Sequence, residues 1–229
     1  MLRRMRIAML MVCLLLALPE TGSGADAAQR ELGEALHARP DRVHGEALYH
    51  GMCTGCHGPD GGGRPDGSVP AIAGQYFSVI TWEIVNYRHN RRWDSRMERS
   101  TDRHQLGDAQ NIADVALYVS TLPPTQTSNV GDGKYLRDGQ DAYSGSCAPC
   151  HGADAAGSNV HVVPRLAGQH YAYLLRQLHD VVEGGRPHFQ PEHLTLLREF
   201  DQAKFVGVAD YLSRLTSRSA AVPASASAP

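Results

Sequence analysis

Two five-residue segments carry the chemistry of this chain. Cys53-Thr54-Gly55-Cys56-His57 and Cys147-Ala148-Pro149-Cys150-His151 each place two thiols three positions apart with a histidine directly behind them. A Cys-x-x-Cys pair alone fits a redox dithiol or half of a zinc site. The adjoining histidine changes the reading, because two thiols can add across the vinyl groups of a haem while the neighbouring imidazole binds its iron. Each segment is therefore expected to attach one haem covalently, through Cys53 and Cys56 with His57 as proximal ligand, and through Cys147 and Cys150 with His151. A covalent tether retains the cofactor in a domain too small to bury a loose haem.

The elements that position these motifs are written twice. Gly45-Glu46-Ala47-Leu48-Tyr49 matches Gly139-Gln140-Asp141-Ala142-Tyr143, and Val69-Pro70-Ala71-Ile72-Ala73-Gly74-Gln75 matches Val163-Pro164-Arg165-Leu166-Ala167-Gly168-Gln169, all at an offset of 94. Near the end of each unit, Tyr118 pairs with Tyr211 at an offset of 93, so an insertion or deletion lies between, in the part that carries the sixth iron ligand. Each unit reads as helical. Opening helices are expected over about 41–53 and 133–147, middle helices over 76–88 and 171–183, and closing helices over 108–121 and 201–216. Ile112, Val115, Ala116 and Val119 recur at helical spacing, which marks a buried face. Gly45 with Tyr49, and Gly139 with Tyr143, share one face of their helix, where the closing helix should cross near Tyr118 or Tyr211. The glycine-rich 58–67 reads as a loop around a haem edge, and no alternating strand pattern of useful length appears. The reading is all-α, with units at 41–122 and 133–216, a linker at 123–132, an N-terminal extension at 28–40 and a disordered tail at 217–229.

Residues 1–27 read as a secretory signal. Arg3, Arg4 and Arg6 precede an apolar run from Ile7 to Leu18, and Ala25-Asp26-Ala27 offers a small-x-small cleavage site. The run is shorter than the roughly 20 residues that span a bilayer, and an uncleaved anchor is the alternative. Cys13 lies in this leader and lacks the small residues usual before a lipidated cysteine, so no pair is left for a structural disulfide. The chain of 229 residues has a net charge of −2, and removal of the leader takes it to about −3 before haem propionates are counted. Nothing in that balance points to nucleic acid.

On the doubled motif, the two Val-Pro-x-[Ile/Leu]-Ala-Gly-Gln segments and the closing helices, the chain resembles the di-haem class I cytochromes c, and most closely the cytochrome c4 family, over about residues 41–216. The resemblance implies two tandem class I cytochrome c domains, each wrapping one covalently bound haem c, with the haems near the domain interface. It implies a periplasmic electron carrier serving respiratory redox partners, such as a haem-copper oxidase or a membrane dehydrogenase, with membrane association only through partners or an uncleaved leader. It also assigns roles. The carbonyls of Pro70 and Pro164, thirteen residues beyond the motif histidines, accept the second ring N–H of each; the plainer reading is two turn prolines. Met97 stands where the family places its axial methionine. The alternative, Met52, directly precedes the first motif on the proximal side.

The second unit departs from this pattern, since no methionine follows Met97. Counted from the shared Gly-Gln, Met97 falls opposite Pro191, with His193 two positions away and His188 three. His193 as ligand, His188 as ligand, and an open five-coordinate iron remain as readings, with His161, His170 and His179 placed less well. An imidazole in place of a thioether should lower the second haem's potential, so that electrons would enter at the C-terminal haem and leave through the N-terminal one. Arg88, His89, Arg91, Arg92, Arg96 and Arg99 form a basic cluster around Met97, readable as a solvated face or as a partner for propionates or an acidic protein. The leading function is an electron carrier. The alternatives are a thiosulfate- or peroxide-active di-haem enzyme with an open second haem, and an electron-transfer subunit of a dehydrogenase or oxidase complex.

Overall fold

The computed structural model describes residues 24–216; the expected signal segment up to residue 23 and the tail from 217 lie outside the described residues. The chain runs through α1 (Gly24–His37), α2 (Arg42–Met52), α3 (Thr54–His57), α4 (Phe77–Arg88), α5 (Ser95–Thr101), α6 (Arg103–Leu106), α7 (Ala109–Thr121), α8 (Leu136–Ala142), a π-helical turn (Tyr143–Cys147), α9 (Ala148–His151), α10 (Tyr171–Val182), α11 (Pro191–Arg198) and α12 (Gln202–Arg214). Among the described residues the only strand-like pairing is one antiparallel bridge between Ser158 and Val163. No helix among them is long and apolar enough to cross a membrane.

The two units repeat one scaffold. α2 opens on Asp41, whose side chain accepts from the amides of Val43 and His44, and α7 opens on Asp108 in the same manner. The opening helix then crosses the closing helix at a glycine. An added Cβ on Gly45 would lie 2.0 Å from the Asp114 carbonyl oxygen, and one on Gly139 would lie 1.9 Å from the Gly207 carbonyl carbon. Beside that crossing Tyr49 packs on Tyr118 at 5.3 Å and Tyr143 on Tyr211 at 5.5 Å. The tyrosine hydroxyls donate to the carbonyls of Gly58 and Gly152, the residues that follow the motif histidines, at 2.7 and 2.6 Å. The crossing thus fixes where each attachment motif sits. A buried aspartate on each closing helix catches the chain as it enters its unit: Asp114 accepts from the Asp41 amide at 2.7 Å, and Asp210 from the Gly131 and Gly133 amides at 3.0 and 2.7 Å.

The second opening helix departs from the expectation of one α-helix from 133 to 147. It starts at Leu136 and passes into a π-helical turn over Tyr143–Cys147, whereas α2 is regular to Met52. The extension is helical, but α1 begins at Gly24 and so runs across the expected cleavage site. Ala28, the first residue after that site, is buried in the first core with Ala35, Ile80, Ile112, Val115 and Val119. The second core gathers Tyr143, Leu174, Val208, Ala209 and Leu212.

Because no flexible side chain absorbs the clash at the crossings, Gly45→Ala and Gly139→Ala should each lower stability by about 1–3 kcal/mol. Denaturant unfolding of the holoprotein, followed at each haem, should show the loss centred on the unit that carries the substitution.

Candidate haem sites and the interface between them

Both motif histidines end a single helical turn and are held from behind. His57 Nδ1 lies 3.1 Å from the Pro70 carbonyl oxygen, and His151 Nδ1 lies 3.3 Å from that of Pro164. A carbonyl can only accept, so Nδ1 carries the hydrogen and Nε2 keeps its lone pair for a metal. Burial pushes both imidazoles below their ordinary range and the carbonyl bonds oppose this, which leaves them neutral and fit to ligate near neutrality. The loops that bring the prolines under the rings need glycine. Cβ atoms on Gly63 and Gly157 would lie 2.4 Å from the carbonyl oxygens of Val69 and Val163, and both residues have positive φ.

The cysteines are not paired with each other. Burial and the neighbouring cysteine push the Cys53 and Cys147 thiols up to about 11. A redox dithiol or a zinc site calls for a readily formed thiolate, so these environments fit thioether attachment better.

The distal residues occupy equivalent places. Met97 is the third residue of α5 and His193 the third of α11. α4 and α10 start 94 residues apart, α5 and α11 start 96 apart, and α7 and α12 start 93 apart. Two residues are therefore gained before the second distal helix and three lost after it, where α6 has no counterpart. That shift removes the two-residue mismatch between Met97 and His193. The His193 ring centroid lies 6.2 Å from that of His151 with the planes at 80°. At that spacing both imidazoles could hold one metal ion between them.

His188 bonds the Arg91 carbonyl oxygen through Nδ1 and packs on Trp82 at 4.6 Å; its Nε2 is without a partner, but the residue is not among those that line the cavity His151 and His193 share. His170 spans Thr127 and the Gly62 carbonyl, His179 stacks on Phe205, and His161 is exposed. Met52 packs against the first core beside Cys53.

One cavity of about 560 Å³ joins the two sites. His57, Pro70 and Met97 line one end, and His151, Pro164 and His193 the other. Well-packed interiors do not leave voids of that size, and the volume lies in the range of ligand cavities. Between the ends the two units exchange hydrogen bonds through the repeated glutamine. Gln75 donates to the Arg165 carbonyl and accepts from its amide, both at 3.0 Å; Gln169 does the same with Ala71, at 2.7 and 3.0 Å.

Deeper in the interface Glu83 of α4 lies 2.6 Å from Arg92 and 2.5 Å from Arg186 of the other unit. Tyr173 and Gln177 bond the same arginines. Burial pushes Glu83 upward, but the two guanidinium groups outweigh it and hold the carboxyl below its usual range. Two buried cations against one anion leave positive charge facing the cavity, and Arg186 Nε has no partner. A group with carboxylate substituents fits that surplus, and the propionates of haem are such substituents.

This arrangement corrects the reading of 88–99 as one basic face around Met97. Arg88 and His89 are spent on the buried Glu31, Arg92 on Glu83 and Arg96 on Asp94, which leaves Arg99 exposed and Arg91 half-buried. Of the anchoring carboxylates, Asp94 lies within the run and Glu83 a few residues before it, while Glu31 comes from α1, too far along the chain for local charge counting to find. The two glutamines were visible as part of the repeat, but pairwise matching did not show that each reaches the other unit.

A cytochrome c family model matches residues 43–123 and 136–204. The chain is 29% identical to a cytochrome c4 of Pseudomonas aeruginosa over 187 residues, 77% of this chain and 83% of the relative. It is 38% identical over 77 residues, 32% of this chain and 36% of the relative, to a thiosulfate dehydrogenase electron acceptor of Stutzerimonas stutzeri. Its fold resembles the crystal structure of reduced recombinant cytochrome c4 from Pseudomonas stutzeri, with a TM-score of 0.68, 21% identity, and coverage of 78% of this chain and all of that one.

Glu83 is held below the ordinary 4.5, so its contribution to stability is present above that pH and is lost as pH falls through the lower folded value. Glu83→Gln leaves the two arginines uncompensated and should cost about 3 kcal/mol at pH 7. Guanidinium unfolding at a series of pH values should show the gap between variant and parent closing below 4.5.

Proposed function

The chain belongs to the cytochrome c family, as a di-haem member of the cytochrome c4 group, and from that premise we propose that it passes single electrons between redox proteins of a bacterial periplasm. The observation that supports this reading is that a second candidate ligand lines the shared cavity with each motif histidine, Met97 with His57 and His193 with His151. Haem c supplies one-electron chemistry at its iron when bound. Cys53, Cys56, Cys147 and Cys150 would hold the two groups, His57 and His151 would ligate from the proximal side, and Met97 and His193 from the distal side. The Pro70 and Pro164 carbonyls orient the proximal rings and set their tautomer. With Met97 and His193 as ligands a small substrate would have no place to bind metal, and on that assignment a carrier is favoured over a thiosulfate- or peroxide-active enzyme.

The distal residues differ in kind. A thioether from Met97 favours the reduced state and an imidazole from His193 favours the oxidised one, so the first site should hold the electron more tightly. Electrons would then arrive at the C-terminal site and leave from the N-terminal one, toward an acceptor such as a haem-copper oxidase. The export reading of residues 1–27 supports a periplasmic setting, since c-type haem is attached outside the bacterial cytoplasm. A role as the electron-accepting partner or subunit of a dehydrogenase is the second reading. The likeness to a thiosulfate dehydrogenase electron acceptor favours it, and co-purification from the native host tests it.

Electron paramagnetic resonance of the oxidised protein should show two low-spin species and no high-spin signal. A high-spin signal that cyanide converts would overturn the carrier reading and put an open second haem in its place. Redox titration should resolve two steps separated by about 0.1 V or more, a fraction of the roughly 0.8 V range that axial ligands command. His193→Met should draw the steps together, and equal potentials in the parent would refute the proposed direction of flow.

A further inference from the structure

The helix that precedes the first unit places one buried carboxylate on both flanks of the Met97 segment. Glu31 of α1 is 2% exposed and receives three cationic or ring donors. Arg88 Nη1 bonds Oε1 at 2.7 Å, Arg103 Nη2 bonds the same oxygen at 2.7 Å, and His89 Nε2 lies 2.7 Å from Oε2. Arg88 is the last residue of α4 and Arg103 the first of α6, so Glu31 ties together the segments before and after α5. The tie reaches the distal residue in two further bonds. Arg88 Nε donates to the Thr101 carbonyl at 2.6 Å, and Thr101 Oγ1 donates to the Met97 carbonyl at 2.8 Å.

α5 has seven residues, too few to hold its own shape without outside support. Its first turn is fixed by Asp94, which accepts from the Arg96 and Met97 amides. Its last turn is fixed through Thr101, and Thr101 depends on Arg88. α1 itself is seated by Ala28 and Ala35 in the first core, so the carboxylate is delivered from a rigid support. Cleavage after Ala27 would leave Glu31 in the chain.

We infer that Glu31 is a positioning residue for the Met97 thioether, and that the N-terminal helix is thereby part of the first haem site. The inference rests on Met97 as distal ligand. A thioether is a weak donor to ferric iron and can be displaced by added imidazole, so the hold on α5 should set how readily that exchange occurs.

The test uses the full-length holoprotein as parent, Glu31→Gln, Arg103→Ala and Met97→Leu. Ferric samples are titrated with imidazole and followed at the long-wavelength thioether-to-iron charge-transfer band, with each haem's potential measured in parallel. The parent should show the band and Met97→Leu should lack it. Glu31→Gln should retain the band but bind imidazole at the first haem about tenfold more tightly, the size of one lost charge-assisted hydrogen bond. Its first potential should fall while the second haem stays unchanged. Arg103→Ala removes one exposed arm of the cluster, should fold normally, and should move the affinity the same way by about threefold. A parent without the band would overturn the Met97 assignment and this inference with it. A parent with the band, and imidazole affinities unmoved in both Glu31→Gln and Arg103→Ala even as thermal stability drops, would overturn the inference alone and leave Glu31 a structural anchor for α1.

Discussion

The bond from each motif imidazole to a proline carbonyl thirteen residues on is the constraint from which the rest of the structure follows. It requires a tight loop, which is why Gly63 and Gly157 have no space for a side chain. It requires the motif to stand at a set height on the opening helix, which Tyr49 and Tyr143 secure through the next carbonyl. The residues directly after the prolines, Ala71 and Arg165, are the ones the opposite glutamines grip. The back wall of each site is therefore held partly by the other unit. Two small domains joined by a flexible linker would be expected to move against each other; four part-buried hydrogen bonds placed at the proximal walls tie their positions to the geometry of ligation instead.

The distal walls are held by a different device. The segments around Met97 and His193 are short helices and loops, the second with a small apolar cluster of Phe189, Leu194 and Leu197, and each is tied to a glutamate outside its own unit's repeat. Glu31 comes from the added helix α1 and Glu83 from the opposite unit, where it grips Arg186 five residues before α11. A buried ion pair is costly to desolvate and adds little to stability over well-packed apolar residues. What it offers here is direction. A guanidinium fork accepts few geometries, so a loop tied to it has few positions in which to present its ligand.

Much of this was legible in the chain because the repeat is strict where covalent attachment and proximal ligation are strict. Cys53, Cys56, His57 and Pro70 recur without a gap in Cys147, Cys150, His151 and Pro164, and the helices followed from the same register. The distal side was less legible for a physical reason. Its segments are loops whose length is free to change so long as one atom arrives at the metal, and compensating changes of two and three residues hid the equivalence of Met97 and His193. The π-helical turn before Cys147 has no signature in the side-chain pattern. The pairing of Arg88 and His89 was hidden because charge read along a chain cannot show a carboxylate that arrives from more than fifty residues away, as Glu31 does.

The same geometry separates what makes the two sites alike from what makes them differ. The proline bonds and the glutamine exchange occur in both units with nearly equal lengths, so they act on both irons in the same sense and cannot set a potential difference. The surplus positive charge of the Glu83–Arg92–Arg186 cluster lies between the sites and favours electrons on either one. What remains to distinguish the sites is the distal atom, sulfur in one and nitrogen in the other. Under the proposed ligation, a duplicated domain that keeps its scaffold and its partner-facing wall while exchanging one ligand would acquire a direction for the electron without rebuilding the path along which it moves.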